Sequence, residues 1–274
     1  MKQRVFDTHI HFVSRQEDYA HYVNQLLNYA QENNAQKMVL IGSPGANELV
    51  KKAIDEFPDV FLGLAWIDLD SDSISDIDEY KKMGFAGLKV ILTDRNYDDP
   101  AYFPFYEAAE HNNMVILFHT GVIGGPVDYL LEEDSSMAEQ IDERVLNKLK
   151  GKSSARMRPI YLDTIANTFP RLKIIGAHLG WPEYMVSCAV ARWRRNVYFD
   201  LSGGEVVRRH IVEGGYIGKE ISVNKVVFGT DSAPEKMPRE VIGWYDSLRS
   251  MGLTSEQIDK IFYLNAAKIF GVIE

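Results

Sequence analysis

Two histidines near the start of the chain, His9 and His11, are the residues in this sequence most suited to chemistry. They end an apolar run that opens with Val5 and Phe6 and has the length of a β-strand. On a strand, side chains two residues apart point to the same face. Their Cβ atoms then lie about 6–7 Å apart, so both imidazoles can bind one metal ion at about 2.0–2.1 Å. The pair therefore indicates a metal site at the end of the first strand.

Three more residues of metal-ligand type end later apolar runs. They are His119, His178 and Asp231, and each follows a segment rich in Val, Ile, Leu or Phe. A buried structural histidine is a fair explanation of any single one, but it does not explain four histidines and an aspartate in matching positions. Together the five residues predict a metal site at the carboxyl end of a parallel barrel, where barrel enzymes hold their catalytic groups.

Imidazoles and a carboxylate are ligands for a divalent ion, with Zn²⁺ as the first expectation and Mn²⁺ as the alternative. A catalytic zinc site keeps one position for water, whose pKa the metal lowers towards about 7. Hydroxide would then be available at neutral pH. A further histidine or aspartate within hydrogen-bond reach would move the proton.

The elements that position these residues alternate along the chain. Apolar runs predict eight strands, and their lack of strict alternation is typical of parallel strands buried on both faces. The predicted strands span 5–12, 37–42, 61–67, 86–92, 114–120, 172–178, 197–201 and 225–229. The predicted helices span 18–33, 46–56, 73–83, 100–112, 158–168, 182–194, 205–213, 238–251 and 255–261, with a short turn or helix at 265–270.

Eight strands that are each followed by a helix predict a (β/α)₈ TIM barrel of the α/β class, in a single domain spanning 1–274. An open doubly wound sheet is the alternative. The barrel is favoured because its first and eighth strands are neighbours, which brings His9 and Asp231 together. The chain has no linker rich in Pro, Gly or Ser that would divide it.

The connection after the fifth strand, 121–155, is much longer than the 2–6 residues usual in α/β units. It carries Ile141, Val145 and Leu149 at helical spacing. We expect this insertion to cover part of the barrel mouth and to contribute to the pocket or to a subunit contact. A tolerated surface excursion is the alternative.

Composition narrows the classes of function. The formal net charge of −9 argues against a nucleic-acid partner, although a local basic pocket for an anionic small molecule stays compatible with it. Cys188 is the only cysteine, which excludes a disulfide within the chain and a thiolate metal cluster. The N-terminus runs directly into the first strand and the sequence has no run of about 20 apolar residues, so we expect a cytoplasmic protein without a membrane partner. The oligomeric state stays open, with a homodimer as the commonest arrangement.

Several stretches resemble amidohydrolase family 2, a branch of the amidohydrolase superfamily of TIM-barrel metal-dependent hydrolases and decarboxylases. The stretches that carry the resemblance are 6–11 (FDTHIH), 84–89 (GFAGLK), 118–121 (FHTG), 177–182 (AHLGWP), 228–231 (FGTD) and 265–270 (NAAKIF). They span the whole chain in order. They are specific for the family and not for a substrate.

The resemblance implies roles for the five residues. His9, His11 and His119 would hold the metal, and Asp231 would be the fourth ligand or a base that orients water. His178 would be the acid/base group. In binuclear relatives His119 and His178 bind a second metal instead, but we expect one ion, because members of this family are mostly mononuclear.

Lys89 lies in the predicted fourth strand, where binuclear members of the superfamily carry a carbamylated lysine. Family members often continue Lys-x-His, and here Ile91 occupies the second position, which weakens the transfer of a role. Three interpretations stay open. Lys89 binds the anionic end of the substrate, reaches solvent at the barrel mouth, or bridges two metals as a carbamate.

Two further residues are candidates for substrate binding. Arg156 follows the long insertion together with Arg158, and an arginine fork suits a carboxylate. A solvated helix start is an equal alternative. Trp181, shortly after His178, is a candidate wall of the pocket, with packing on the barrel rim as the alternative.

The leading hypothesis is a metal-dependent hydrolase that acts on a small, carboxylated amide, lactone or ester. The alternatives are a non-oxidative decarboxylase of an aromatic or enol-type carboxylic acid and a catalytically silent metal-binding scaffold. Ser202, Ser232 and Cys188 lack convincing triad partners in the sequence, so we expect no covalent nucleophile.

Overall fold

The computed structural model describes residues 3–13, 16–124 and 150–273. Most of the insertion predicted after the fifth strand, 125–149, lies outside these described residues. Its expected role at the barrel mouth therefore stays a prediction.

Eight parallel strands pair in chain order and confirm the predicted TIM barrel. Each strand starts within about two residues of its predicted position. β1 and β2 have seven residues each, β3 has six, and the other strands have two to four. The strands are β1 (Val5–His11), β2 (Ala35–Ile41), β3 (Phe61–Trp66), β4 (Gly87–Val90), β5 (Val115–Phe118), β6 (Lys173–Gly176), β7 (Val197–Asp200) and β8 (Val226–Val227).

Helices follow the strands as predicted. They are α1 (Tyr19–Asn33), α2 (Asn47–Glu56), α3 (Ser75–Lys82), α4 (Phe103–His111), α5 (Tyr161–Thr168), α6 (Tyr184–Trp193), α7 (Gly204–Gly214), α8 (Met237–Ser250), α9 (Ser255–Asp259) and α10 (Asn265–Ile269). Both α5 and α6 begin later than predicted. Arg158 and Trp181 precede prolines, which disfavours helical geometry, and both are extended, with ψ of 142° and 127°.

The two ends of the sheet meet and close the barrel. The backbone N–H of Thr8 donates to the carbonyl of Phe228 at 3.0 Å, and the N–H of Asp231 donates to the carbonyl of His9 at 2.7 Å. These bonds join β1 to the segment after β8. The closed barrel is thus favoured over the open sheet, for the reason that the sequence suggested: His9 and Asp231 are neighbours.

The barrel interior is filled with apolar side chains below the carboxyl ends of the strands. Alternation along each strand sends one set inward and the other towards the helices. The inner set packs against α10, whose Ala266 and Ala267 are buried at the opposite end of the barrel. Its strand members include Phe6, Val39, Ile41, Leu64, Val115, Leu117, Ile175 and Val227.

The buried carboxylate of Asp7 reinforces the closure between the first and last strands. Its Oδ1 accepts from the backbone N–H of His9 at 3.2 Å and of Thr230 at 3.0 Å. Its Oδ2 accepts from the hydroxyl of Thr230 at 2.7 Å and from that of Tyr29 at 3.3 Å. All four partners are donors, so the carboxylate acts as an acceptor throughout.

We predict that Asp7→Asn destabilises the fold. The amide keeps one acceptor oxygen but turns an NH₂ group towards hydroxyls that need an acceptor. A buried polar group left without a partner costs about 1–3 kcal/mol in unfolding free energy. Urea denaturation of metal-free protein measures the loss. Asp59→Asn, at an exposed position before β3, is the matched control and should change stability by less than about 0.5 kcal/mol. Equal stabilities of the two variants would contradict this role of Asp7.

Candidate metal centre

Alternation along β5 and β4 turns two of the predicted side chains inward, whereas β1 reaches the site through an irregularity in its register between Asp7 and Ile10. Leu117 belongs to the inner apolar set, so His119, two residues further, faces the same way at the carboxyl end of β5. Lys89, near the end of β4, is fully buried. His9 is also fully buried, whereas the His11 side chain, at the last residue of β1, is 29% exposed. The Asp231 side chain is 26% exposed, so the exposed edge of the site lies at His11 and Asp231.

His178 and Asp231 reach the site through an unusual backbone conformation. Both lie just beyond their strands with positive φ, 58° for His178 and 46° for Asp231. Residues other than glycine seldom adopt this left-handed conformation, and where they do it is often at functional sites. Hydrogen bonds hold each turn in place. The N–H of His178 donates to Asp200 at 2.8 Å, and the N–H of Asp231 donates to the carbonyl of His9.

Three ligand-type side chains converge. Single ligand atoms of His9, His11 and Asp231 all lie within 4.8 Å of one another. The two Nε2 atoms are 3.3 Å apart, and the Oδ1 atom of Asp231 is 3.7 Å from each. Ligands that bind a tetrahedral zinc ion at about 2.0–2.1 Å are separated by about 3.3–3.4 Å. The spacing and the donor set therefore fit a divalent metal.

His119 does not belong to this group of three and instead faces His178. The centroids of their rings are 5.0 Å apart. The Nε2 atom of His119 is buried and has no hydrogen-bond partner among the described residues. A buried polar atom without a partner needs an explanation, and a role as ligand of an ion is one of the common ones. The orphan nitrogen thus fits the predicted role of His119 as a metal ligand.

Asp231 faces both the group of three and His178. Its Oδ1 atom points to His9 and His11, while its Oδ2 atom is 3.8 Å from Nε2 of His178. The His178 ring also stacks on that of His9, with centroids 5.4 Å apart. His178 therefore stands beside the group that fits a metal, in the position expected of an acid/base group.

The surroundings of the site favour neutral imidazoles at three histidines and an ionised carboxylate at Asp231. Burial lowers the pKa of His11 to about 3 and lowers those of His119 and His178 as well. Burial raises the pKa of Asp231, but the histidines and Lys89 outweigh it, and the net pKa lies below the usual value. Neutral imidazole is the form that binds metals, so His11 and His119, together with the ionised Asp231, are in the protonation state that a metal needs.

Lys89 is the one cation at the centre of the site among the residues described. Its Nζ atom is 3.4 Å from Nε2 of His9, and burial lowers its pKa to about 8. Its complete burial excludes the interpretation that it reaches solvent. A role towards an anionic substrate and a metal-bridging carbamate both stay open.

The candidate substrate-binding residues lie further out. Arg156 donates to the carbonyl of Gly151 at 3.4 Å, and its charge lies beside Asp94. Arg158, the other half of the proposed fork, is paired with both carboxylate oxygens of Glu183, with its Nε atom at 3.0 Å from each.

Trp181 adjoins the site through its backbone. Its N–H donates to the carbonyl of His178 at 3.0 Å, and its ring is half-buried against the core. A Cβ at Gly121 would lie 1.8 Å from the Trp181 carbonyl oxygen, so the chain after β5 and the chain after β6 pack closely here. Trp181 is therefore positioned beside the site, and its contact with a substrate stays a prediction.

Sequence reasoning missed Asp200, which ends β7. The side chain is fully buried, and its Oδ2 atom is 2.8 Å from Nδ1 of His9. It ends an apolar strand just as the histidines do, and that position is the signal by which it could have been found. Burial raises its pKa, but the attraction of His9 and His178 and the hydrogen bonds from His9 and Ser202 outweigh this, so the pKa falls well below normal.

Ser202 has partners that the sequence did not reveal. Its hydroxyl oxygen is 2.8 Å from Nδ1 of His178, and its hydroxyl group donates to Oδ1 of Asp200. Ser202 is almost fully buried, at 1% exposure. The premise that Ser202 lacks such partners is therefore wrong. The expectation of no covalent nucleophile stays a prediction, and the proton of the Ser202 hydroxyl is given to a buried carboxylate.

An eight-stranded parallel barrel with imidazoles and a carboxylate at the carboxyl ends of its strands defines the class of metal-dependent TIM-barrel enzymes. The chain belongs to amidohydrolase family 2, because the model of that family, described as amidohydrolase, matches residues 6–272. The resemblance seen in the sequence is thereby confirmed. Members of this family are metal-dependent enzymes.

Solved structures show the same fold at low sequence identity. The 5-carboxyvanillate decarboxylase of Sphingomonas paucimobilis is 19% identical, with a TM-score of 0.64 over 98% of this chain and 99% of that one. An uncharacterised TIM-barrel protein of Bordetella bronchiseptica is 15% identical, with a TM-score of 0.70 over 98% of each chain. The dihydroxybenzoic acid decarboxylase of Polaromonas sp. JS666, with bound manganese and the inhibitor 2-nitroresorcinol, is 15% identical, with a TM-score of 0.65 over 98% and 97%.

None of the curated proteins matches the chain significantly. Within the described residues, no helix has both the length and the apolar character needed to cross a membrane.

We predict that metal-free protein loses stability as the pH falls below about 6.5. In the folded chain the lowered pKa values keep His11, His119 and His178 neutral, whereas in the unfolded chain each imidazole takes up a proton near its ordinary pKa of about 6.5. The stability is therefore present above that pH and is lost below it. Below that pH, each histidine lowers the unfolding free energy by about 1.4 kcal/mol per pH unit.

Urea denaturation of chelator-treated protein between pH 7 and pH 5 measures this slope. His119→Gln removes one of the three histidines. The unfolding free energy of this variant should therefore change less steeply with pH, by about 1.4 kcal/mol per pH unit. Identical slopes for the variant and the wild type would contradict a buried, neutral His119.

Proposed function

We propose that this chain is a hydrolase that uses a metal-activated water on a small, carboxylated amide, lactone or ester. The observation that carries the proposal is the pair formed by His178 and Asp231, whose Nε2 and Oδ2 atoms are 3.8 Å apart. The lowered pKa values leave the imidazole neutral and the carboxylate ionised. Both groups can therefore accept a proton at neutral pH, which is what the activation of water requires.

His9, His11, His119 and Asp231 are the proposed ligands of one divalent ion, with Zn²⁺ preferred and Mn²⁺ as the alternative. When bound, such an ion lowers the pKa of a water molecule towards about 7. The spacing of His9, His11 and Asp231 and the orphan Nε2 atom of His119 support this ligand set. His178 is then left to take a proton from the water at its Nε2 atom and to return it to the leaving group.

Lys89 is proposed to bind the anionic part of the substrate. A buried ammonium needs a counter-charge, and the carboxylates of Asp231 and Asp200 already raise its pKa against the effect of burial. A substrate carboxylate, or the oxyanion that forms on a carbonyl under attack, would provide a further negative charge to stabilise the Lys89 ammonium. Arg156 and Trp181 are proposed as outer contacts of the substrate, towards the insertion and the barrel rim.

A non-oxidative decarboxylase is the second candidate, and the comparisons favour it. The proteins from Sphingomonas paucimobilis and Polaromonas are named as decarboxylases, and the latter holds manganese and an aromatic inhibitor. Decarboxylation requires an acid that delivers a proton to carbon. His178 lacks a proton to deliver at neutral pH because its pKa is lowered, whereas Lys89, with a pKa of about 8, still carries its proton. Lys89 would then be the proton donor.

The same proposal includes a cytoplasmic enzyme whose partner is a small anionic substrate and not a nucleic acid or a membrane. The oligomeric state stays open, with a homodimer as the commonest arrangement. The formal net charge of −9 is in keeping with the absence of a nucleic-acid partner.

We predict that zinc-loaded protein releases acid and not carbon dioxide from its substrates. Hydrolysis of a lactone or ester creates a new carboxylate and a proton, which a pH-stat detects, whereas decarboxylation consumes a proton and releases carbon dioxide. A panel of carboxylated lactones and esters, run beside hydroxybenzoic acids, separates the two. Amides are assayed by the amine that they release, because their hydrolysis at neutral pH gives a carboxylate and an ammonium ion without net acid. Carbon dioxide release without acid release would overturn the hydrolase and establish the second candidate.

We also predict that His178→Asn keeps the metal and loses activity by about 10²–10⁴-fold, the usual contribution of a general acid/base group. His11→Ala should lose both metal and activity, because it removes one of the three converging ligands. Elemental analysis and turnover measurements on the same preparations test this. His21→Asn, on α1, is the control and should change neither. Loss of metal from His178→Asn would instead make His178 a ligand and pass the acid/base role to Asp231.

A further inference from the structure

We propose that Asp200 and Ser202 are positioning residues that fix the tautomers of His9 and His178, so that both rings present an unprotonated Nε2 atom to the site. This inference deepens the proposed function and rests on it only for its consequence in catalysis. The tautomers themselves and the affinity for metal are measurable without a substrate.

Asp200 acts directly on His9. Its Oδ2 atom is 2.8 Å from Nδ1 of His9, and both side chains are fully buried. Its Oδ1 atom accepts from the backbone N–H groups of His178 and Ser202, at 2.8 and 3.0 Å, so the carboxylate serves as a hydrogen-bond acceptor. Nδ1 of His9 must therefore carry the proton. Its Nε2 atom then has a free lone pair, directed to His11 and Asp231 at 3.3 and 3.7 Å.

Ser202 connects the same carboxylate to His178. A hydroxyl has one proton, and the acceptor-only Oδ1 atom of Asp200 takes it, because Ser202 and Asp200 are in close hydrogen-bond contact. The hydroxyl oxygen then offers only lone pairs to Nδ1 of His178, which is 2.8 Å away. Nδ1 of His178 must be the donor and carry the proton.

The consequence is that Nε2 of His178 is the basic nitrogen. That atom faces Oδ2 of Asp231 at 3.8 Å, on the side of the site where water would be activated. The opposite tautomer would place an N–H group there and could not accept a proton from water. The chain from Asp200 through Ser202 to His178 thus selects the form of the ring that a general base needs.

Asp200 also holds the backbone that carries this arrangement. Its Oδ1 atom accepts from the backbone N–H of His178 at 2.8 Å and of Ser202 at 3.0 Å. One carboxylate therefore sets the left-handed turn at His178 and the tautomers of two rings. Ser202 influences the His178 tautomer alone, because His9 has its own, closer bond to Asp200 at 2.8 Å against 3.2 Å to the hydroxyl.

Because Asp200 acts on both rings and Ser202 acts on His178 alone, variants of these two residues should behave differently. Asp200→Asn is isosteric, but its amide group turns an N–H towards Nδ1 of His9, so the proton moves to Nε2 and the metal loses a ligand. Its dissociation constant for zinc should rise by about 10–100-fold, the usual cost of losing the outer partner of a ligating histidine. Ser202→Ala should leave the zinc dissociation constant within about twofold and lower kcat by about 10–100-fold, with KM unchanged.

The decisive readout is the protonation of the imidazole nitrogens in zinc-loaded protein labelled with ¹⁵N-histidine. Long-range proton–nitrogen correlation spectra report which nitrogen of each ring carries the proton, and the signals that vanish in His178→Asn identify His178. Wild-type protein should show a proton on Nδ1 of His178. Ser202→Ala should lose that preference. Ser187→Ala removes another fully buried hydroxyl, on α6, and should preserve the wild-type tautomer and zinc affinity.

Three results would overturn the inference. They are a proton on Nε2 of His178 in the wild-type protein, an unchanged His178 tautomer in Ser202→Ala, and equal loss of zinc from Ser202→Ala and Asp200→Asn. Failure of the proposed hydrolysis leaves these readouts intact, since none of them requires turnover. Wild-type spectra with the expected tautomer but without hydrolytic activity would therefore refute the proposed function and not the positioning role.

Discussion

The site depends above all on the closure of the barrel between its last strand and its first. In the described residues, two backbone hydrogen bonds close that seam, from Thr8 to Phe228 and from Asp231 to His9. The second bond is also the one that fixes Asp231 in its left-handed turn, with φ of 46°. The bond that closes the sheet is thus the bond that sets a carboxylate beside the histidine pair. A loss of closure would therefore separate Asp231 from the histidine pair.

Two buried carboxylates support the site from below without facing a substrate. Burial raises the pKa of Asp7 to about 6, although hydrogen bonds from Thr230 and His9 hold the rise back. Asp200 has imidazoles beside it, and its pKa is lowered instead. Asp7 holds the backbone of the seam through hydrogen bonds to His9 and Thr230, and Asp200 holds the imidazole ring of His9 through its Nδ1 atom. The conformation of the ligands is therefore determined by polar groups one layer beneath them, as is common for histidines that bind metals.

Much of this could be predicted from the sequence, and the physical reason is periodicity. Strand-length apolar runs predicted all eight strands. The position of a ligand-type residue at the end of a run predicted that His9, His11, His119, His178 and Asp231 form the site. Features set by long-range contact were beyond such reasoning. The positive φ of His178 depends on Asp200, which is 22 residues further along the chain. Ser202 finds its partners only when the ends of β6 and β7 lie side by side, and the pairing of Arg158 with Glu183 likewise requires the folded chain.

The central claim is that the ends of three strands, β1, β5 and β8, bring four ligands to one divalent ion. Anomalous diffraction from crystals of the zinc-loaded protein, recorded on both sides of the zinc absorption edge, tests it most directly. The account predicts a single peak per chain, within about 2.0–2.2 Å of His9, His11, His119 and Asp231, with His178 outside bonding distance and an unmodified Lys89. Two peaks bridged by a carbamate on Lys89, or a single peak bound by His178 in place of His119, would contradict it.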